Sequence, residues 1–136
     1  MKKILMICAV VLGFTFVART ASAQDSQKPE FKFNEEKHDF GKIPQGTPVT
    51  TVFTFTNVGQ DPLIITDVRP TCGCTIADFT KTPVKPGDSG SIKITYNAAF
   101  AAPFTKTIVV TSNASTPVKN LIIVGEVVAK TTSSSR

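Results

Sequence analysis

From Phe31 onward the chain alternates apolar and polar residues with a period of two, the pattern of half-buried β-strands. Phe31 and Phe33 alternate with polar neighbours, and His38-Asp39-Phe40-Gly41 leads into Ile43. Thr51, Phe53 and Phe55 fall on one face of the next segment, with Thr50, Val52, Thr54 and Thr56 on the other. Asn57-Val58-Gly59-Gln60-Asp61-Pro62 has the composition of a turn, and Leu63 to Val68 reads as a strand after it. Thr75 to Phe79 is a shorter strand. Pro86-Gly87 marks a turn before Ile92, Ile94 and Tyr96 alternate again. The clearest unit is the last: Phe104 to Thr111, a loop at Asn113-Ala114-Ser115-Thr116-Pro117, and a returning strand from Val118 to Val128. This predicts a terminal hairpin. Between residues 31 and 129 no segment shows a helical period of apolar residues.

About seven short strands, with turn signals spaced by roughly 8–12 residues, predict an all-β immunoglobulin-like sandwich. A small barrel is the competing architecture. Two inner faces would be buried by the alternating Phe, Ile and Val positions. The protein has no Trp, and its cysteines beyond residue 23 are nearly adjacent, so the disulfide pin between sheets seen in antibody domains is excluded.

The residues before the domain change the picture of where it works. Lys2 and Lys3 form a positive start, Ile4 to Val17 is apolar, and Ala21-Ser22-Ala23 is a small-x-small cleavage site, so residues 1–23 read as a signal peptide cut after Ala23. The apolar run is shorter than the roughly 20 residues that span a bilayer, and Arg19 closes it, which predicts a mature chain with no transmembrane segment. Cys8 lies inside that run. Residues 24–30 read as a flexible lead-in, 31–129 as one domain, and 130–136 as a disordered tail. Cleavage removes Lys2, Lys3 and Arg19, leaving twelve basic against ten acidic residues, a net charge of +2 rather than +5. The remaining lysines are interleaved with acids, and no basic stripe with aromatic platforms is present, so nucleic acid is not an expected partner. Export, to the periplasm or beyond it, also places the cysteines in an oxidising compartment.

The concentrated chemistry is Pro70-Thr71-Cys72-Gly73-Cys74-Thr75. Residues i and i+2 of an extended strand share a face, but their Cβ atoms are farther apart than the roughly 3.8 Å of a relaxed disulfide. Gly73 can take backbone angles closed to other residues, which would fold the segment back and bring Cys72 and Cys74 together. Four states remain open: a local structural disulfide, a redox-active dithiol, a Cu(I) site of two thiolates, and two inert thiols. Arg69 is placed to favour a thiolate if its side chain reaches the pair. Zinc is poorly served, because His38 is the one histidine and is remote in sequence. His38 beside Asp39 reads as a solvated or hydrogen-bonded side chain, and no nucleophile elbow, phosphate loop or calcium loop is present.

The same residues carry a resemblance. Phe40-Gly41-Lys42-Ile43, then Val52-Phe53-Thr54-Phe55-Thr56-Asn57-Val58-Gly59 and Asp61-Pro62-Leu63-Ile64-Ile65, run into Cys72-Gly73-Cys74-Thr75. Pro86-Gly87 before Ile92-Lys93-Ile94-Thr95-Tyr96, and Lys106-Thr107-Ile108-Val109-Val110 before Ser112-Asn113, complete the order. From Phe33 to Val128 the chain resembles a large family of exported bacterial proteins of unknown function with an Ig-like domain. That family is related in shape to the abnormal-spindle/hydin and major-sperm-protein type sandwiches. One departure lies at Ala98 to Pro103, where the family pattern has a glycine before the aromatic that begins the next strand. The resemblance implies fold and compartment and supplies no activity. The expectation is therefore a non-catalytic binding or structural module of the cell envelope, without cofactor, contacting another envelope protein by strand addition at a sheet edge. The alternative is a thiol-redox or copper protein working through Cys72 and Cys74.

Overall fold

A computed structural model describes residues 28–130. The signal segment, its cleavage point at Ala23 and the tail beyond Lys130 lie outside the described residues. Eight strands follow one another: β1 (Phe31–Phe33), β2 (Lys37–Pro44), β3 (Val49–Asn57), β4 (Ile65–Pro70), β5 (Thr75–Phe79), β6 (Ser89–Tyr96), β7 (Pro103–Ser112) and β8 (Val118–Val128). They form two four-stranded sheets, one ordered β1-β3-β6-β5 and the other β2-β8-β7-β4. The first sheet and the β8-β7-β4 part of the second have the ABED and GFC arrangement of an immunoglobulin-like sandwich. No helix occurs among the described residues.

The eighth strand arises because the first is divided between the sheets. Phe31–Phe33 pairs antiparallel with β3, and Lys37–Pro44 crosses over to pair parallel with β8. Local alternation gives no sign of that change of partner. The Leu63–Val68 segment also shifts. Leu63 leaves the ladder for an isolated bridge to Val84, and the strand proper runs from Ile65 to Pro70.

Between the sheets lie Phe53, Phe55, Ile92 and Ile94 from the first and Ile108, Val110, Leu121 and Ile123 from the second, all wholly buried. Tyr96 on β6 stacks on Phe104 on β7 with ring centroids 4.1 Å apart, joining the layers. At the far end, Phe31 meets Phe55 edge-on at 4.9 Å. Within the 24–30 segment, Pro29 is buried, its carbonyl accepts from Ser115 N–H (2.9 Å), and Glu30 accepts from Val58 N–H (3.0 Å).

Candidate functional site

The Cys72–Cys74 segment is the connection by which the chain leaves β4, the edge of one sheet, and enters β5, the edge of the other. Here the two sulfurs form a close pair, with the Cα atoms 5.3 Å apart. The pair therefore sits within one crossover, where a bond between the sulfurs would close a loop rather than pin sheet to sheet. Thr75 N–H donates to the Cys72 carbonyl (3.3 Å), completing a tight turn, and Cys74 N–H points at Cys72 Sγ (3.1 Å). Both ends of the turn are anchored to neighbouring strands: Thr71 N–H donates to Thr107 O on β7, and Asn97 N–H donates to Cys74 O, each at 3.0 Å.

Gly73 sits at the exposed tip of this turn. It does not use the left-handed region, and a Cβ built on it meets nothing within 4 Å. The folding back expected of glycine is achieved by a turn of ordinary handedness. Arg69 is 81% exposed and gives its guanidinium to Asp67 (2.8 Å), two residues earlier on β4. His38 Nδ1 pairs with Glu35 Oε1 (3.0 Å), and its ring meets Phe40 edge-on. It lies on β2, with β8 and β7 between it and the crossover strand β4. Among the described residues, no group of three or more His, Cys, Asp or Glu side chains is gathered to hold a metal.

Both cysteines are half-buried, and Cys74 packs against the rim of the core. The crossover shares its end of the sandwich with two other connections. Asn97 leads into Ala98, which is buried with φ 52° and whose carbonyl accepts from Gly46 N–H (2.8 Å); Gln45 N–H in turn reaches Val128 O. Ala98 thus takes a backbone conformation that favours glycine, in the loop where the sequence departs from the pattern it resembles. Phe100 projects from the same loop, 78% exposed.

A concavity elsewhere on the sandwich was not visible in the motifs. Between Asp39 and Lys42 the β2–β8 register shifts, opening a groove of about 410 Å³ lined by Lys42, Pro103, Thr105, Val124 and Glu126 among others. Gly41 (φ 65°) forms the bulge, its N–H bound to Asp39 Oδ1 (2.8 Å). The sequence signal for this place is Gly125, which follows the apolar run Leu121–Val124 inside a strand, since a glycine there marks a close approach. A Cβ on Gly125 would lie 2.8 Å from Phe104 Cζ and 2.9 Å from Gly41 O.

The profile of the proteins of unknown function DUF1573 matches residues 31–127. The chain belongs to the DUF1573 family. No curated protein matches this DUF1573 chain in sequence. Among solved structures it is similar to a protein of unknown function from Porphyromonas gingivalis, with 20% identity and a TM-score of 0.67. That match covers 75% of this chain and 48% of the other, so the chain spans about half the length of that relative. The ASH/PapD-like domain 7 of human CEP192 follows at 11% identity and TM-score 0.57, covering 77% of this chain and 88% of that domain. A secreted serine protease from Vibrio cholerae, VesC, matches at 17% identity and TM-score 0.57, over 76% of this chain and 24% of the protease. These likenesses place the DUF1573 domain among PapD-like and Ig-like sandwiches and carry no activity with them.

Proposed function

We propose that this DUF1573 protein is an exported, non-catalytic binding or structural module of the bacterial cell envelope, the signal-like residues 1–23 directing it to the periplasm or beyond. The observation that carries the reading is the placement of Cys72 and Cys74: they form a close pair inside a crossover, where a disulfide between them would brace its turn. With its most reactive residues committed to architecture, the sandwich offers surfaces and strand edges for contact. The likeness to VesC, a secreted protease, is in keeping with export.

A second reading rests on the half-exposed position of both cysteines. A reagent can reach them, so the pair can serve as a reversible dithiol or, once reduced, as a two-thiolate Cu(I) site. Intact mass of the exported protein, with and without thiol alkylation, followed by titration in graded redox buffers, separates the two. A mass two hydrogens light with a midpoint far below the compartment's poise supports the structural clip. Free thiols, bound copper or a midpoint near that poise would move the function to Cys72 and Cys74.

A further inference from the structure

The sandwich has four edge strands, and three of them are blunted. β1 is three residues long. β2 carries Lys37, Lys42, Pro44 and a bulge, and β4 carries a register shift, the Asp67–Arg69 pair and a terminal Pro70. Short length, bulges, charges and prolines all discourage the addition of another strand. Of those features β5 has only its modest length and one charge, Asp78. It contains no proline, lysine or arginine, and its register with β6 is unbroken over five pairs.

The register also shows which backbone groups of β5 are unused. Cys74 O and Thr80 N–H bond to Asn97 and Ser91 on the β6 side. Bonding residues alternate along an antiparallel ladder, so Ile76 and Asp78 face β6 while Thr75, Ala77 and Phe79 turn their N–H and C=O groups outward. Thr75 N–H is held by Cys72 O, and Phe79 N–H is held by Asp78 Oδ1 (2.9 Å). The outward groups left to a partner are Ala77 N–H and the carbonyls of Thr75, Ala77 and Phe79. Beside them Cys74, Ala77 and Phe79 form a half-covered apolar rim of the core, and Ile76 stands 71% exposed on the outer face.

Resting on the binding-module reading, we infer that the free edge of β5 docks an extended segment of another polypeptide, alternating apolar residues with a basic residue set against Asp78. The apolar positions would close the rim at Cys74, Ala77 and Phe79. The strand's single charge chooses the occupant. A second copy of β5 would bring another carboxylate to this edge, whereas a Lys or Arg beside Asp78 complements it. In the free protein Asp78 caps Phe79 N–H and shields the edge. On docking, a partner carbonyl takes that donor and the carboxylate is released to the partner's cation. Lys81, whose Nζ lies 5.7 Å from the Phe79 ring centroid, stands just past the strand and limits its reach.

The test uses 15N-labelled exported protein with its disulfide intact and two end-blocked hexapeptides, Thr-Val-Lys-Val-Thr-Val and the same peptide with Glu for Lys. Saturable shifts confined to residues 74–80 and slowed exchange of Ala77 N–H are expected. The Lys peptide should bind roughly two- to fivefold tighter than the Glu peptide, the range of a cross-strand ion pair. Ala77→Pro, which removes an outward N–H and no bond to β6, should abolish binding. Asp78→Lys should reverse the preference between peptides, and it keeps the test decisive if the proline variant does not fold. Shifts centred on β2 and the Gly41–Gly125 groove would overturn the β5 assignment while leaving the module reading intact. Concentration-dependent broadening of β5 without peptide would overturn the choice of occupant in favour of a second copy. No saturable binding of either peptide would overturn the inference outright. The module reading fails by the separate redox titration above.

Discussion

At the residue scale, much of the order depends on small or polar side chains at particular places. Asn57, wholly buried at the end of β3, donates through Nδ2 to Asp61 O (2.7 Å) and Val84 O (2.9 Å), while Oδ1 accepts from Gly59 and Glu30 N–H. It ties three separate segments together where a turn was all its neighbours suggested. The glycines divide by cause. Gly73→Ala should change stability by less than about 0.5 kcal/mol, because its site is open and its backbone ordinary. Gly41→Ala should cost roughly 1–2 kcal/mol for the left-handed backbone alone. Gly125→Ala should cost the most, since the new Cβ meets the buried Phe104 ring and the Gly41 backbone. Urea unfolding of the three variants checks the ranking, and a large loss at Gly73 would show that the Cys-Gly-Cys turn needs more than the geometry described.

At the element scale the crossover is held by hydrogen bonds at both ends and, in the structural-clip reading, by a Cys72–Cys74 bond as well. A cross-link closing so small a loop restricts the unfolded chain by roughly 1.5 kcal/mol in the loop-entropy account. Cys72→Ser/Cys74→Ser should therefore lower stability by about that amount and still fold, since Thr71 and Asn97 keep their bonds to Thr107 and Cys74 O. Circular dichroism and urea midpoints with and without reductant measure it; loss of the β signal on reduction would make the link essential. Legibility divides at this scale too. Thr75–Phe79 and Val118–Val128 agree with their alternation because their partners do not alter the period. The placement of Cys72 and Cys74 between sheets was hidden, because strand order depends on contacts far apart in sequence. The bulge at Gly41 was hidden for the same reason: it answers to β8, more than eighty residues away.

For the whole molecule, the decisive long-range step is the return of β8 beside β2. That parallel pairing joins β8 to β2, so the second sheet is incomplete until β8 has been made. Alternation and turn spacing announced a sandwich, with a small barrel as the competitor, because both bury one face of each strand. They could not specify this closure, since side-chain period carries no information about partner or direction. The closure has a built-in reporter. Tyr96 is the only tyrosine, there is no tryptophan, and its ring stacks on Phe104 across the two sheets. Its fluorescence therefore senses the separation of the layers, while far-UV circular dichroism senses the strands themselves. A domain of this size with one continuous core should unfold in a single cooperative transition. The two signals should then share one urea midpoint and one slope. If Tyr96 changed at lower urea than the strand signal, the sheets would be parting while still paired within themselves, and the Tyr96–Phe104 contact would not be part of the cooperative core.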